Sequence, residues 1–508
     1  MPNKNKLKDM KSLANLLSKH RNENKKIVLS HGIFDLLHIG HIRHLEQARK
    51  MGDILVVTLT PDQYVDRGPG RPVFTQTLRA EAIASLNYVD YVAINLWSTA
   101  EETLRQLKPN IYARGSEYRD FLLDTDGKIA AEEKAAREIG TKLEFTEDIA
   151  FSSTSLINRY LSILPVEIHE YIRIFKQRYN VQNIYQILEN MVDLKVLIIG
   201  DTIIDEYQYC EAMGKSSKDP VLALKYQSHD LFAGGVLAVA NHVANFTNNV
   251  HLVTILGEVN SHESFIRSQL SHNITPYFMT KDNAPTLIKR RFIDGYSLNK
   301  LFEVYIMDDS GLSQEKDREL CDWLQNKMPE CDLVISADFG HGTISPYVVR
   351  VLAEDSRFLA VNTQANAGNR GFHTVSRYPR ADYICIAEHE IRLEKRVFEG
   401  DLRPVMIDIA EQLNSKRMVV TRGRRGAVVW NARGEFVEVP AFAQNIVDRV
   451  GAGDAFFAVT SLAACQGAPD EILGFIGNVA GALAVEIVGN KKSVDKNNIK
   501  KYVANLMK

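Results

Sequence analysis

Two imidazoles and a glycine stand together at His38-Ile39-Gly40-His41. They follow an apolar, strand-like run, Ile27 to Leu29, that stops at His31-Gly32, and they open a helix-periodic stretch. The first N–H groups of a helix lack intrahelical partners and carry partial positive charge, so this position favours phosphate. Imidazoles beside it can donate to a phosphoryl group that gains charge in a transition state.

A second constellation lies at Asp448-RVGAGDAFF-Phe457. Gly451, Ala452 and Gly453 give successive backbone N–H groups a concave arrangement at an expected helix start, a nest for a transferring phosphate. Asp454 follows directly, placed to accept a proton from an attacking hydroxyl. Phosphoryl transfer needs little beyond positioning, charge neutralisation and a base. The plainer reading is a glycine-rich turn capped by an aspartate. Three further segments point the same way. Thr421-RGRRG-Gly426 follows a strand-like run, and its glycines could line a nucleotide. Gly200-Asp201 and Asp205 end another strand with carboxylates available for sugar hydroxyls. Gly234-Gly235 opens a helix-like segment.

Composition sets the class. The chain has 508 residues, 45% hydrophobic and 24% charged, as in ordinary globular proteins of two or three domains. A formal net charge of −2 gives no global field for nucleic acid or an anionic membrane. No run of about 18 apolar residues suggests a membrane span. The basic N-terminus has no signal-peptide core, and the Lys/Arg/Asn-rich run at 18–26 reads as a solvated lead-in. The five cysteines form no CxxC pair, which suits a reducing cytosol and argues against a disulfide framework or zinc site.

The elements that must position these residues are read from periodicity. Strands are expected at Ile54–Thr60, Val89–Ile94 and Asn110–Arg114, with helices at Thr77–Leu86 and near Thr99–Leu107. Such alternation implies a parallel sheet with crossover helices and ligands at the carboxyl ends of its strands. A new α/β pattern begins at Leu194-KVLIIGD-Asp201. The expected organisation is therefore residues 1–165 as one domain, 166–193 as a helical connector and 194–508 as a second domain.

The HxGH segment, with Gly32, Phe34 and Asp35 in frame, resembles the cytidylyltransferase-type branch of the HxGH nucleotidyltransferases. The order of Gly200-Asp201, Gly234-Gly235, Thr421 to Gly426 and the GAGD segment resembles the ribokinase-like carbohydrate kinases. The implied fold is α/β throughout, Rossmann-like in the first half and ribokinase-like in the second. In the first half the resemblance implies that His38 and His41 steady the α-phosphate and that Gly32, Phe34 and Asp35 shape the nucleotide pocket. Arg114-GSEY-Tyr118 is similar to a sugar-phosphate segment. Ser153, Thr154 and Ser155 resemble a closing phosphate loop. In the second half it implies Asp454 as base and Gly451, Ala452 and Gly453 as anion hole. Asp205, Gly234 and Gly235 would face the sugar. Thr421, Gly423, Gly426 and Asn478 would lie near ATP. Lys289 and Arg291 would meet a substrate phosphate. Asp338 and Glu390 would be the carboxylates nearest magnesium.

A sugar kinase joined to a nucleotidyltransferase resembles the bifunctional heptose-phosphate kinase/adenylyltransferases of ADP-heptose synthesis, with the halves in reversed order. This implies phosphorylation of a sugar or sugar phosphate, then nucleotidyl transfer from ATP or CTP to the sugar 1-phosphate, both with Mg²⁺. The expected partners are these small molecules, in the cytoplasm, with no nucleic acid and no membrane; a homodimer is left open. Ala238, Asn362-Thr363-Gln364 and Ala387 depart from the kinase pattern. They motivate a second reading, a sugar-binding regulatory domain beside an active nucleotidyltransferase. His44 reads as a packed or solvated histidine, His341 and His389 as loop histidines, Arg424 and Arg425 as exposed or phosphate-facing, and Gly368 to Gly371 as a loop without a role.

Overall fold

The computed structural model describes residues 5–65, 72–115, 128–146, 165–308, 310–369 and 371–507. The chain divides into two compact units: Met1–Pro165 with Lys500–Lys508, and Val166–Ile499.

The first unit is built on five parallel strands: β1 (Ile27–Gly32), β2 (Ile54–Leu59), β3 (Tyr91–Ile94), β4 (Ile111–Gly115) and β5 (Lys142–Thr146). Their order is β3-β2-β1-β4-β5. Side chains alternate between the two faces of a strand, and here both faces are covered. Ile27, Leu29, Ile54 and Val56 join one apolar cluster with Leu104, Leu107 and Ala135. Val28, Leu55 and Val57 join another with Leu45, Ala48, Ala80 and Ile83. The near-continuous apolar runs follow from this double burial. The order reverses between β1 and β4, so a crevice opens beyond the carboxyl end of β1.

The run at 18–26 is mostly exposed, as expected, and its first residues end a docked helix. Residues Met10–Asn22 are helical, capped by Asp9 accepting from the Ser12 N–H, with Met10, Leu13 and Leu17 buried. Arg21 donates to the Leu107 carbonyl at 2.6 Å, and His20 meets the Tyr91 hydroxyl at 3.1 Å. An apolar face at helical spacing outweighs the charged residues on the other side.

The second unit has two sheets. The larger contains β6 (Lys195–Gly200), β9 (Asn249–Val259), β10 (Ile274–Pro285), β13 (Leu333–Asp338), β14 (Leu359–Thr363), β15 (Tyr383–Ala387), β16 (Arg417–Thr421), β17 (Ala427–Asn431) and β18 (Phe436–Val439). Its order is β10-β9-β6-β13-β14-β15-β16-β17-β18, parallel up to β16 and antiparallel from there. The smaller contains β7 (Thr202–Lys215), β8 (Leu222–Gly235), β11 (Ile288–Asp294) and β12 (Lys300–Ile306) in the order β12-β11-β7-β8. Helices Val236–Ala244, Ala452–Cys465 and Asp470–Ala484 are apolar almost all round and lie in the core.

The helices expected as a connector, Val166–Arg178 and Val181–Asn190, fall within the second unit. Phe175 stacks on Phe475 with centroids 4.5 Å apart, and Arg178 pairs with Glu471 at 3.0 Å. Ile168, Ile172 and Phe175 form a buried stripe that needs a partner surface, and the helix Asp470–Ala484 provides it.

Candidate active sites

In the first unit, β1 delivers the chain to a tight loop, and the helix Ile39–Lys50 begins just past it. His38 is the N-cap: its Nδ1 accepts from the Gly40 N–H at 3.1 Å, which fixes the ring at the helix start. His41, one turn in, lies ring against ring with His38, centroids 3.9 Å apart, and meets the edge of Phe34 at 5.1 Å. Phe34 takes a left-handed backbone conformation, φ 51°. Desolvation holds His41 down to about 3, helped by the neighbouring imidazoles of His38 and His44. It is therefore neutral at physiological pH.

Asp35 accepts from the Val73 and Phe74 N–H groups at 2.7 and 3.2 Å. Its carboxylate thus shapes the loop facing the crevice. Gly32 ends β1, its carbonyl accepting from Thr60 N at 3.0 Å. His44 bridges the Ser30 and Thr146 hydroxyls at 2.8 and 2.7 Å, so it is packed.

Two arginines that the sequence did not single out hold this crevice. Arg79 is buried, donating to the carbonyls of Ile33, Phe74 and Thr60 and pairing with Asp62. It pins the loops after β1 and β2. Arg114, noted only within its segment, pairs with buried Glu132 at 3.3 Å. Ser116 to Tyr118 and Ser153, Thr154 and Ser155 lie outside the described residues.

In the second unit, paired residues on neighbouring strands share a face. On the small sheet Lys289 lies opposite Asp205, and Arg291 opposite Tyr207. Across the next ladder Lys289 faces Tyr305 and Arg291 faces Glu303. Asp205 and Arg291 form an ion pair, and the Lys289 ammonium lies 5.2 Å from the centre of the Tyr305 ring. Gly234 is required here: a Cβ at this position would collide with the Asp205 carboxylate.

Facing these groups is the start of helix Ala452–Cys465. Gly451 is its N-cap at φ 82°, where a side chain would be strained and would strike Asn490. Asp454 lies in the first turn. Desolvation and then the Asp205 charge push its carboxyl up to about 7, while Lys289 pulls it down. Asp205, Lys289 and Asp454 therefore act on one another across two layers of the fold. Gly235 caps the helix Val236–Ala244.

The remaining expected residues are placed less uniformly. Thr421 ends β16, and Gly423 and Gly426 bound a short 3₁₀ turn after it. In that turn Arg425 pairs with Glu388, leaving Arg424 exposed. The Asn478 amide donates to the Gly474 carbonyl of its own helix at 2.9 Å. Asp201 does not face sugar: its oxygens accept the N–H groups of Phe339, His341 and Thr343 and brace that loop.

Asp338, read as a magnesium-side carboxylate, is enclosed by His373 at 2.5 Å, Arg377 at 2.7 Å and the Tyr378 hydroxyl at 2.7 Å. Glu390 accepts from the Ala387 and Ala365 N–H groups, and desolvation pushes it up to about 7, with a further push from Asp454. His389 sits on the first turn of helix Glu388–Lys395 rather than in a loop. Gly368 to Gly371 belong to a loop latched by Asn366 and Asn369, both donating to the Phe339 carbonyl; Arg370 lies outside the described residues.

The sequence profile of the pfkB family carbohydrate kinases matches residues 193–497. The chain belongs to the pfkB family. A cytidylyltransferase-like profile matches residues 29–159, ahead of the pfkB part. The chain is similar to the bifunctional protein HldE of Desulfatibacillum aliphaticivorans, 40% identical over 116 residues, covering 22% of this chain and 24% of that one. It is also similar to the bifunctional protein HldE of Citrifermentans bemidjiense, 36% identical over 160 residues and 31% of each. The matches thus span a quarter to a third of the length of these curated relatives.

The pfkB part shares its fold with phosphofructokinase-2 from Escherichia coli. The structure in complex with potassium gives a TM-score of 0.51 at 15% identity, covering 62% of this chain and all of that one. The structure in complex with fructose-6-phosphate gives 0.50 at 14%, with the same coverage. Membership of the pfkB carbohydrate kinase family implies use of ATP. Among the described residues, no three His, Cys, Asp or Glu side chains gather as a metal cage, and no helix is long and apolar enough to cross a membrane.

Proposed function

We propose that this protein makes an activated nucleotide sugar in two steps. The pfkB domain moves the γ-phosphoryl group of ATP to a hydroxyl of a sugar or sugar phosphate of heptose type. Asp454 takes the hydroxyl proton as the O–P bond forms, and ADP leaves. The N–H groups of Gly451 to Gly453 hold the charge on the transferred group. Asp205 and the backbone at Gly234 and Gly235 orient the sugar, while Lys289 and Arg291 meet an anionic substituent. Thr421, Gly423, Gly426 and Asn478 border the nucleotide. The convergence of Asp205 and Lys289 on Asp454 carries this reading. A base pushed up to about 7 is matched to proton abstraction near neutral pH.

The cytidylyltransferase-like domain then joins the sugar 1-phosphate to a nucleotide. A phosphate oxygen attacks the α-phosphorus of ATP or CTP, and pyrophosphate departs. The stacked His38 and His41 stand at the helix start, where an α-phosphate gains charge. Ser153, Thr154 and Ser155 would close over the remaining phosphates. Magnesium fits both steps as an ion carried by polyphosphate and one or two carboxylates, which neutralises phosphate charge. Glu390, within reach of the Asp454 charge, is the better-suited protein ligand, because Asp338 already pairs with Arg377 and hydrogen-bonds His373 and Tyr378.

The regulatory reading of the pfkB domain draws on the enclosed Asp338 and on Asn362, whose amide donates to the Cys385 carbonyl at 2.6 Å. A binder alone has no need of a base such as Asp454, so catalysis is the preferred reading. Incubation with ATP, CTP and a panel of heptose and hexose phosphates, with products identified by mass, tests the proposal. A nucleotide sugar supports it; sugar-phosphate binding without ATP turnover favours regulation.

A further inference from the structure

Asp448 lies six residues before Asp454 and is buried, with both oxygens fully engaged. Oδ1 accepts from Lys300 Nζ at 2.7 Å and from Val450 N at 3.2 Å. Oδ2 accepts from the Tyr207 hydroxyl at 2.6 Å and from Gly489 N at 3.0 Å. The four donors come from four segments of the chain. Tyr207 and Lys300 belong to β7 and β12 of the small sheet. Val450 belongs to the loop that becomes the phosphate nest. Gly489 belongs to the turn whose Asn490 lies against Gly451.

Tyr207 also connects to the substrate side. It lies two residues along β7 from Asp205, on the same face. The Arg291 guanidinium sits 5.9 Å from the centre of its ring and pairs with Asp205. The Lys300 ammonium lies 5.3 Å from that ring. One carboxylate thus collects the phosphate loop, the turn behind it and, through Tyr207, the Asp205–Arg291 pair.

We propose that Asp448, Tyr207 and Lys300 form a latch that ties the small sheet to the Gly451–Gly453 loop and holds the two halves of the phosphoryl-transfer site in register. None of the three touches the reacting atoms, so they are positioning residues. Lys300 is the releasable member: it sits at the start of a strand, partly exposed, whereas Tyr207 and Asp448 are buried. Releasing it leaves the nest intact but frees the sheet that carries Asp205, Lys289 and Arg291. The inference rests on the kinase reading for its kinetic consequence and not for its structural one.

The test uses the full chain and the variants Lys300→Met, Lys300→Arg and Tyr207→Phe. A charge-assisted hydrogen bond lost at a half-buried site changes an equilibrium roughly tenfold or more. Lys300→Met should raise KM for the sugar substrate by that order while KM for ATP stays near wild type. Tyr207→Phe should act in the same direction, and Lys300→Arg should restore the wild-type values. Amide hydrogen exchange should show Lys300→Met losing protection in β7 and in residues 448–455 together. A Lys300→Met enzyme with unchanged sugar KM, or one that Lys300→Arg fails to rescue, overturns the latch. A wild type with no sugar-dependent turnover overturns the kinase reading instead. Exchange then decides the latch alone: coupled loss upholds it, and unchanged protection at 448–455 overturns it.

Discussion

Lys289 stands opposite Asp205 across the β7–β11 ladder, and both charges bear on Asp454 at the start of a helix in another layer. The opposition of signs is the useful part. Asp205 makes Asp454 a stronger base, and Lys289 keeps it ionisable near neutral pH.

Phosphorylation should therefore rise with pH along a limb centred near 7, where Asp454 loses its proton. Removing the Asp205 charge, as in Asp205→Asn, should move the limb to lower pH. Removing the Lys289 charge, as in Lys289→Met, should move it to higher pH. Rate profiles of sugar-dependent ADP formation read both shifts. Movement in the same direction would contradict the assignment of Asp454 as the group that titrates.

His41 gives a second pH prediction. Its folded-state value, about 3, lies below its ordinary value of 6.5, so the unfolded chain binds the proton more tightly. The neutral ring's contribution to stability is complete above 6.5 and is lost as pH falls toward 3. Unfolding of the first unit, followed by denaturant titration at several pH values, should show this acid loss. His41→Gln should flatten part of it. An unchanged slope would mean that His41 is not held neutral.

Arg79 should matter to the nucleotidyl step without touching substrate. Its side chain is 1% exposed and meets three carbonyls and Asp62. Arg79→Met should destabilise the first unit by roughly 2–3 kcal/mol, because three carbonyls lose a buried, charged donor. Pyrophosphate release should fall with it, because the loops after β1 and β2 lose their common anchor. A variant as stable as wild type would show that these carbonyls are satisfied some other way.

The two units should also fold apart, provided the chain is divided in the right place. A break near residues 178–183 would strip the helix Val166–Arg178 and its Phe175–Phe475 stack from the second unit. Expression of residues 166–508 should give a soluble piece, whereas residues 184–508 should be markedly less stable in thermal unfolding.

Much of this was legible in the sequence because it is written in local signals. The apolar runs at Ile27 and Ile54 mark doubly covered strands, and glycines at 234, 235, 451 and 453 mark helix starts. The role of Asp448 was not legible, because its partners Tyr207, Lys300 and Gly489 are brought from 241, 148 and 41 residues away. Nothing in the spacing of an isolated Lys or Tyr reports such a junction. The small sheet was missed for a related reason. Its long strands carry polar residues on both faces, as at Lys225 to Asp230, and so lack the alternation that identifies a half-buried strand. Asp201 was read as ligand-facing from its place at a strand end, and Asp338 from the resemblance to the carbohydrate kinases. The loops that fold back onto them could not be seen from strand periodicity.

The most direct measurement follows both products in one reaction. The wild type is given ATP, a sugar phosphate and, separately, the matching sugar 1-phosphate, and release of ADP and of pyrophosphate is recorded for Asp454→Asn and for His41→Ala. Asp454→Asn should lower sugar-dependent ADP formation by roughly 100- to 10,000-fold, the usual effect of losing a general base, and leave pyrophosphate release from the sugar 1-phosphate intact. His41→Ala should do the reverse, lowering pyrophosphate release by roughly 100- to 1,000-fold. If either substitution abolishes both activities, or neither substitution affects either, two separate chemistries in one chain are not what this protein performs.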